Sequence, residues 1–259
     1  MPKFFVTSDI HSYYDELMVA LNDVGFDEDN ENHYLVVCGD CFDRGPDSYK
    51  VLKYLRELPR KILVKGNHEQ LLVDCCKRGY PEAHDMHNGT ARTIRDVGSG
   101  AIFEEFEDWC NYTLKKVKPF IDGMVNYFET KNHIFVHSWV PTINNDGLPA
   151  YYTRNRKLEF NPKWRNASQE AWDEAMWGNP FDMIECGLMP NKTVVFGHWH
   201  CSTGWARAEG RSEFEVDAKF DPYYGDGFIA IDACTAHSHK CNVIVIEDEF
   251  LEDENYEDN

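Results

Sequence analysis

The sequence has little positive charge and no long hydrophobic run. Lysine and arginine number 26 against 45 aspartates and glutamates, which gives a formal net charge of -19 over 259 residues. Nonspecific nucleic-acid binding depends on basic side chains that neutralise phosphates, so DNA or RNA is not expected as a partner. No apolar stretch approaches the roughly 18 residues that cross a bilayer, and the N-terminal residues lack a signal-peptide pattern. We therefore expect a soluble, cytoplasmic protein that neither binds nucleic acid nor enters a membrane.

The nine cysteines lack the regular spacing of a disulfide or zinc framework. Cys38 and Cys41 have the separation of a zinc-binding pair, but no second pair stands at a matching distance. In a larger chain without a secretion signal, cysteines are normally reduced. We expect them to pack as small apolar side chains.

The chain is long enough to bury one sizeable core, with 42% hydrophobic residues. We expect a single catalytic domain over residues 1–246, including a polar, aromatic-rich insert at 141–190 that could wall an active site. Residues 247–259 hold eight carboxylates and no lysine or arginine. That composition predicts a disordered acidic tail.

Apolar strands alternate with amphipathic helices in the first third of the chain. Strands are predicted at 4–7, 34–37 and 62–64, with helices at 13–24 and 48–58 between them. This βαβαβ order predicts an α/β fold with parallel strands. A helical block follows from 69 to about 127. Further strands are predicted at 133–136, 193–196, 228–231 and 242–246, the last two in a second, partly antiparallel sheet.

A polar motif closes each of five apolar strands. The motifs, in chain order, are Asp9-Ile10-His11, the stretch from Gly39 to Gly45 (G-D-x-x-D-R-G), Gly66-Asn67-His68-Glu69, Val136-His137 and Gly197-His198. Any one of them arises often by chance, but five in order do not. Since ligands in open α/β sheets bind at the carboxyl ends of the strands, we expect these side chains to meet there.

The residue types in these motifs suit a pair of metal ions. Two-metal hydrolysis needs cations roughly 3.5–4 Å apart and a ligand that bridges them. One ion would be bound by Asp9, His11 and Asp40, and the second by Asp40, Asn67, His137 and His198. Mixed carboxylate, imidazole and amide ligands favour Mn²⁺, with Fe, Zn or Ni as alternatives.

The full motif set resembles the phosphoprotein phosphatases (PPP), which are calcineurin-like metallophosphoesterases. It is most similar to their bacterial and bacteriophage branch, typified by lambda phosphatase, with diadenosine tetraphosphatases as close relatives. The resemblance runs from about Phe4 to Ile246 and implies a central β-sandwich flanked by helices. It implies the same two metal sites. It further implies that His68 is the general acid, that Asp43 orients its imidazole and that Arg44 binds phosphate oxygens.

These implied roles agree with the chemistry of phosphoryl transfer. Catalysis consists mostly of positioning and of cationic stabilisation of charged oxygens. A guanidinium matches a phosphate with two parallel hydrogen bonds, and a protonated imidazole can donate to a leaving oxygen. For Arg44 the alternative is a surface ion pair with Asp47.

The sequence departs from the family pattern in a few places. Ser12 follows the first motif where the family usually has glycine. Asp232 is followed by Ala233-Cys234, where the family usually has any residue and then glycine. The stretch Trp177-Gly178-Asn179 lacks the phosphate-binding arginine that this family branch carries. Three arginines of the insert could replace it: Arg154, Arg156 and Arg165. His200 is interpreted as a packed residue, with a role behind the metal ligands as the alternative.

Three functions remain open at this stage. The favoured one is hydrolysis of phosphomonoesters, most of all phosphoserine or phosphothreonine in proteins, by attack of a metal-bound hydroxide. The expected partners are a phosphorylated protein or peptide, or a small phosphate ester. The second function is hydrolysis of dinucleoside polyphosphates. The third is a noncatalytic binding module, whose only support is the missing arginine. The sequence does not indicate an oligomeric state.

Overall fold

The computed structural model describes residues 1–144 and 158–251, which form two main sheets with helices on their outer faces. The strands are β1 (Lys3–Thr7), β2 (His33–Cys38), β3 (Lys61–Val64), β4 (Phe128–Glu129), β5 (His133–Phe135), β6 (Ile143–Asn144), β7 (Leu158–Glu159), β8 (Thr193–His200), β9 (Tyr223–Gly225), β10 (Phe228–Asp232) and β11 (Ile244–Glu247). The helices are α1 (Tyr14–Asp23), α2 (Ser48–Glu57), α3 (Asn67–Arg78), α4 (Ala83–Asn88), α5 (Thr90–Val97), α6 (Phe106–Ile121), α7 (Gln169–Ala175), α8 (Pro180–Glu185), α9 (Cys201–Glu209) and α10 (Thr235–Ser238). One 3₁₀ turn covers Trp164–Asn166.

The first sheet has the strand order β11-β1-β2-β3. Strands β1, β2 and β3 are parallel, which confirms the βαβαβ prediction. Strand β11 pairs antiparallel with β1 at the sheet edge, so the prediction that it joins the second sheet is wrong. Its alternating burial, with Ile244 and Ile246 buried and Val245 exposed, is the pattern of a strand with one covered face.

The second sheet has the strand order β4-β5-β8-β10-β9. Its three inner strands are parallel, and the outer strands β4 and β9 are antiparallel to their neighbours. The prediction of a second, partly antiparallel sheet is therefore confirmed for β10, which pairs parallel with β8 and antiparallel with β9. A separate two-stranded ribbon joins β6 to β7.

The two sheets face each other across an apolar core. Its buried members come from both sheets, with Phe4 and Val6 from β1, and Phe135, Val195 and Ile231 from β5, β8 and β10. Helices α1, α2, α3, α5 and α6 cover the outer face of the first sheet. The insert, including α7 and α8, covers the second sheet. The expected β-sandwich flanked by helices is confirmed.

The first residues of the predicted acidic tail are part of the fold. Glu247 belongs to β11 and Asp248 is buried, accepting hydrogen bonds from Thr130, Asn132 and His133. The predicted boundary at 247 is wrong because these acids are fixed by specific donors. Residues 252–259 of the predicted tail lie outside the described residues, as do residues 145–157 of the insert.

Two other expectations are tested by the fold. All nine cysteines are unpaired and all but Cys186 are buried, in agreement with packed thiols. Burial raises the pKa of the Cys38 and Cys41 thiols. Within residues 1–144 and 158–251 there is no helix with the length and apolar character needed to cross a membrane.

Candidate active site

The carboxyl ends of the parallel strands bring all nine predicted site residues to one edge of the sandwich. Asp9 and Asp40 follow β1 and β2 by two residues, His137 follows β5, and His198 lies near the end of β8. Seven of the nine line a pocket of about 200 Å³: Asp9, His11, Asp40, Arg44, Asn67, His68 and His198. Asp43 and His137 are buried immediately behind it.

The backbone of this edge is strained. Six of the nine site residues have a positive φ although none is glycine: Asp9 (50°), His11 (49°), Asp40 (55°), Asp43 (72°), Arg44 (61°) and His198 (64°). Such conformations cost about 1–3 kcal/mol each and cluster at functional sites, where the surrounding structure enforces them. Six of the nine non-glycine residues with a positive φ are therefore predicted site residues; the other three are Ser12, Cys234 and His239.

Asp40 lies between the two predicted ligand groups. Its Oδ2 is 3.9 Å from His11 Nε2, and its Oδ1 is 3.5 Å from His137 Nε2. Its two oxygens therefore face different imidazoles. His11 Nε2 also lies 3.9 Å from Asp9 Oδ1. This is the arrangement that a bridging carboxylate requires.

His137 and Asn67 present two electron-pair acceptors to each other. His137 Nδ1 lies 2.8 Å from the Cys38 carbonyl oxygen, to which it donates, so Nε2 carries a lone pair. That Nε2 lies 2.8 Å from Asn67 Oδ1, which is also an acceptor. A contact this short between a ring nitrogen and an amide oxygen needs a proton or a metal cation between the two atoms. The donor set therefore fits the metal predicted here.

The protonation states agree with that fit. Burial, with the carboxylates of Asp232 and Asp40, raises the pKa of Asp9 well above its usual range. Burial also lowers the pKa of His198 to about 3, so its imidazole is neutral. Crowded carboxylates and neutral imidazoles are the groups that a divalent cation stabilises.

Asp40 is the exception among these buried acids. Burial alone would raise its pKa, but the surrounding imidazoles, His137 and His68 foremost, hold the pKa well below its usual range. It is therefore the carboxylate most firmly held as an anion. Among the described residues, two clusters at this site have metal-ligand geometry: His11, Asp40 and His68, and Asp40, His137 and half-buried His198. Asp40 belongs to both, and the first cluster contains His68 where the predicted ligand set has Asp9.

Two glycines permit this close packing. A Cβ on Gly66 would collide with Asp40 Oδ1, and one on Gly197 would collide with Asp9 Oδ2. Both glycines belong to the predicted motifs, and both stand directly beside a predicted ligand. They are needed because the backbone approaches the carboxylates too closely for any side chain.

His68 and Asp43 form the expected acid pair. His68 Nδ1 lies 2.8 Å from Asp43 Oδ2. Burial favours the neutral imidazole, but the carboxylates of Asp40 and Asp43 outweigh it and raise the pKa of His68. Its Nε2 lies 4.0 Å from Asp40 Oδ2 and so points into the pocket, where a leaving oxygen could receive its proton.

Helix α5 supplies partners for Asp43 that the motifs did not predict. Thr90 Oγ1 donates to Asp43 Oδ2 at 2.7 Å, and Thr93 Oγ1 donates to Asp43 Oδ1 at 2.9 Å. Thr93 also accepts from the Asp43 backbone N–H and from Ser48, whose hydroxyl contacts Ser12. The only signal in the sequence is the three-residue spacing of two threonines on one helix face, which is not specific.

Glu69 has a structural role that its motif position did not reveal. Its buried carboxylate accepts the backbone N–H groups of Asp40, Cys41 and Gly66 at 2.8–3.0 Å. It thereby joins the loop after β2 to the loop after β3. Both loops carry predicted metal ligands, so Glu69 sets their relative position.

Arg44 is exposed at the rim of the pocket, and its backbone N–H donates to Asn88 O. The alternative pairing with Asp47 is not found, because Asp47 pairs with Lys50 at 2.8 Å. Arg165 is not the replacement phosphate ligand, because Glu129 binds it through two hydrogen bonds. The other two candidates, Arg154 and Arg156, lie outside the described residues.

His200 lines the pocket, so its interpretation as a packed residue is wrong. Its Nδ1 lies 3.0 Å from Glu213 Oε1 and its Nε2 lies 4.0 Å from Asp232 Oδ2. Burial alone would lower its pKa, but hydrogen bonds with Cys234 and Glu213 raise the pKa to about 11. Asp232 and Trp177 line the same pocket, and the Trp177 backbone contacts His198.

Comparison with known proteins gives partial sequence relatives. Serine/threonine-protein phosphatase 1 of Salmonella typhimurium is 43% identical over 70 residues, 27% of this chain and 31% of that protein. A symmetrical bis(5'-nucleosyl)-tetraphosphatase of Buchnera aphidicola is 40% identical over 74 residues, 28% of this chain and 26% of that protein. The matches span less than a third of either relative.

Solved structures match over most of the chain at low sequence identity. One, provisionally described as a diadenosine tetraphosphatase, has a TM-score of 0.51 at 19% identity, covering 95% of each chain. A cold-active protein-tyrosine phosphatase of Shewanella has a TM-score of 0.51 at 15% identity, covering 95% of this chain and 76% of that one. These likenesses show the fold.

The family model described as calcineurin-like phosphoesterase matches residues 2–202. That range includes every one of the nine site residues and most of both sheets. The chain therefore belongs to the calcineurin-like phosphoesterase family.

Proposed function

We propose that this protein is a two-metal phosphomonoesterase whose substrates are phosphoserine and phosphothreonine in proteins, with small aryl phosphates accepted in vitro. The family works with a pair of metal ions. The observation that carries the proposal is the small polar pocket in which the Asp40 carboxylate and the His68–Asp43 pair face one another beside Arg44.

The proposed metal ligands are those inferred from the motifs, with Asp40 shared between the ions. When bound, two divalent ions, which we propose to be Mn²⁺, supply positive charge and activate water for attack on phosphorus. The nine unpaired cysteines support the proposed cytoplasmic location, since thiols persist in reducing compartments.

The chain's own residues supply the remaining steps. Arg44 would bind two oxygens of the phosphoryl group with its planar guanidinium. His68 would donate its Nε2 proton to the leaving serine or threonine oxygen. Asp43 holds Nδ1 of that imidazole, so the ring keeps the orientation and the proton that this step needs.

The charge of the pocket supports a monoester. Its volume of about 200 Å³ accommodates a phosphoryl group, and the rest of either substrate would lie outside it. Arg44 is the only lysine or arginine lining the pocket in the part of the chain that the structure describes. A polyphosphate chain carries several negative charges and would need more cations than this, and Asp232 adds a further repulsive carboxylate.

Hydrolysis of dinucleoside polyphosphates is the second candidate. It is supported by the relatives named symmetrical bis(5'-nucleosyl)-tetraphosphatase, which share about 40% identity over their matched segments. The same metal ligands would serve both reactions, so they do not discriminate between the two substrates.

The two functions are separated by a side-by-side assay of the Mn²⁺-loaded protein. We expect kcat/KM for a phosphoserine peptide to exceed that for diadenosine tetraphosphate by about tenfold or more, which is about 1.4 kcal/mol of transition-state stabilisation. The control is Asp40→Asn, which keeps the shape of the side chain and should abolish both activities. A higher kcat/KM for the dinucleotide would overturn the proposal in favour of the second candidate.

A further inference from the structure

A second concavity lies beside α1 and is larger than the catalytic pocket. Its volume is about 580 Å³, within the usual range of ligand sites. It is lined by the α1 side from Asp15 to Val24, by Asp221 and Pro222, and by residues 239–243. We refer to it as the α1 groove.

The floor of the α1 groove is apolar. Helix α1 buries Leu17 and Leu21 against the first sheet, yet Val19 on its opposite side is 61% exposed. Val243 and Pro222 add half-buried apolar surface to the groove. Val243 packs partly against the core, whereas Val19 belongs to no core cluster and is available to a ligand.

The rim of the groove is acidic. It carries the carboxylates of Asp15, Glu16, Asp23 and Asp221, against Lys240 as its one lysine or arginine. Within residues 1–144 and 158–251, no ion pair joins any of these four carboxylates to a lysine or arginine. The rim thus carries an excess of negative charge around an apolar floor.

This combination selects the class of ligand. Lysine and arginine side chains place an apolar stem on apolar surface and a cationic head near carboxylates. A second copy of this chain is disfavoured, because each copy carries a formal net charge of -19. A basic, partly apolar polypeptide segment satisfies both the floor and the rim.

The segment 235–241 runs from the catalytic pocket to the α1 groove. Thr235 lines the catalytic pocket, and its hydroxyl donates to the Asp9 carbonyl oxygen at 2.9 Å. Cys241, in the groove wall, contacts the same hydroxyl at 3.9 Å. A polypeptide bound in the groove therefore lies against the same short segment that borders the catalytic pocket.

We propose that the α1 groove is a docking site for a lysine- or arginine-containing, partly apolar segment of the phosphoprotein substrate. This inference rests on the proposed protein phosphatase activity and names how its substrates are selected. It places part of the recognition outside the catalytic pocket, which is too small to read a protein sequence.

The test uses two phosphopeptides with the same sequence around one phosphoserine. One carries a flanking segment with three lysines and two leucines, and the other a flanking segment of equal length made of serine and glycine. For the wild type, we expect KM to be about tenfold lower for the basic peptide at similar kcat. The variant Asp15→Asn/Glu16→Gln/Asp23→Asn should lose that advantage and keep its kcat/KM for the neutral peptide within twofold.

The matched control removes the same number of exposed carboxylates elsewhere. Glu104→Gln/Glu105→Gln/Asp108→Asn changes three acids that line neither concavity and should retain the tenfold preference. Equal losses in the groove and control variants would mean that only net charge matters, and would overturn the docking site. The absence of any preference in the wild type would also overturn it.

A binding measurement separates this inference from the proposed activity. Fluorescence anisotropy should show that the unphosphorylated basic peptide binds the wild type. The triple variant Asp15→Asn/Glu16→Gln/Asp23→Asn and the single variant Val19→Gln should each raise the dissociation constant about tenfold. If neither phosphopeptide is hydrolysed while this binding pattern holds, the protein phosphatase proposal fails and the groove stands as a peptide site. If binding is unchanged in both variants, the docking proposal fails whatever the activity.

Discussion

At the residue scale, the pairing of His68 with Asp43 depends on a helix that carries no predicted site residue. Thr90 and Thr93 of α5 donate to the two carboxylate oxygens of Asp43, and both threonines are fully buried. The carboxylate is therefore fixed from one side by hydroxyls and contacts the imidazole from the other. Loss of these hydroxyls should leave His68 less well oriented for proton donation.

The double variant Thr90→Val/Thr93→Val tests this dependence. We expect kcat for a phosphoserine peptide to fall about tenfold or more, since its alkoxide leaving group needs a proton. Turnover of p-nitrophenyl phosphate should fall less, because p-nitrophenolate leaves without full protonation. Steady-state kinetics on the two substrates gives the comparison.

Thr113→Val is the control for this experiment. Thr113 is equally buried, and its hydroxyl donates to Ile94 O of α5 at 2.8 Å without touching Asp43. Thr113→Val should change kcat for the phosphoserine peptide and for p-nitrophenyl phosphate by the same factor. Equal losses on both substrates in the Thr90 and Thr93 variant would contradict the role in proton donation.

The motifs correctly predicted which side chains come together at the site, because each motif lies at the end of a strand that can be recognised from its own apolar residues. Asp9, Asp40 and His137 each follow an apolar strand, and parallel strands bring their carboxyl ends to one edge. The partners of Asp43 and Glu69 could not be predicted in this way. Thr90 and Thr93 reach Asp43 only because α5 packs over the loop after β2, and the sequence around them carries no sign of that packing.

At the element scale, the acidic C-terminal segment shows where composition misleads. Asp248 follows β11 and accepts hydrogen bonds from Thr130 at 2.7 Å, from Asn132 at 2.8 and 3.0 Å, and from His133 at 2.7 Å. These donors come from the turn between β4 and β5 and from the first residue of β5, in the other sheet. The segment thus joins the two sheets, although its composition is that of a tail.

Asp248→Ala should therefore destabilise the protein by about 3 kcal/mol, because several buried donors lose a charged acceptor. Urea unfolding with the m-value compared between variants gives the free energy of unfolding. Glu247→Ala removes a neighbouring carboxylate whose exposed ion pair with Lys3 contributes about 0.5 kcal/mol. Similar losses in the two variants would contradict the role of Asp248.

The contribution of Asp248 should also depend on pH. Burial opposes its ionisation, but hydrogen bonds from His133 and Thr130 lower its pKa well below the usual range. A lowered folded-state pKa gives stability that is present above the unfolded-state value near 4 and lost as the pH falls towards the folded-state pKa. The difference in unfolding free energy between wild type and Asp248→Asn should therefore shrink below about pH 4. A constant difference from pH 7 to pH 3 would contradict this.

At the scale of the whole molecule, strand pairing is the feature that local patterns predicted least. Strands β1, β2, β3, β5, β8, β10 and β11 were predicted from their apolar runs, and the parallel order of the first three from the helices between them. The short strands β4, β6, β7 and β9 were not predicted. The assignment of β11 to the first sheet depends on a partner more than two hundred residues away along the chain. Local patterns do not identify such partners, and the sandwich itself followed from family resemblance.

Metal binding should stabilise the whole fold, because it neutralises buried carboxylates at the point where both sheets end. Saturation with Mn²⁺ at about one hundred times the dissociation constant should add about 2.7 kcal/mol to the unfolding free energy. Thermal unfolding of chelator-treated and Mn²⁺-loaded protein gives the shift in Tm. The Asp40→Asn variant should show little of this shift in Tm. An equal shift in that variant would indicate binding elsewhere, such as at the exposed cluster of Glu82, His84 and Asp85.

The most direct test of the two-metal account is to measure bound metal and turnover on the same sample. After loading with Mn²⁺ and removal of free ions, elemental analysis should find two ions per wild-type chain, and p-nitrophenyl phosphate should be hydrolysed. Asp40→Asn should bind fewer ions and lose at least about a thousandfold in kcat. Two ions in the wild type with turnover no higher than that of Asp40→Asn would contradict the account.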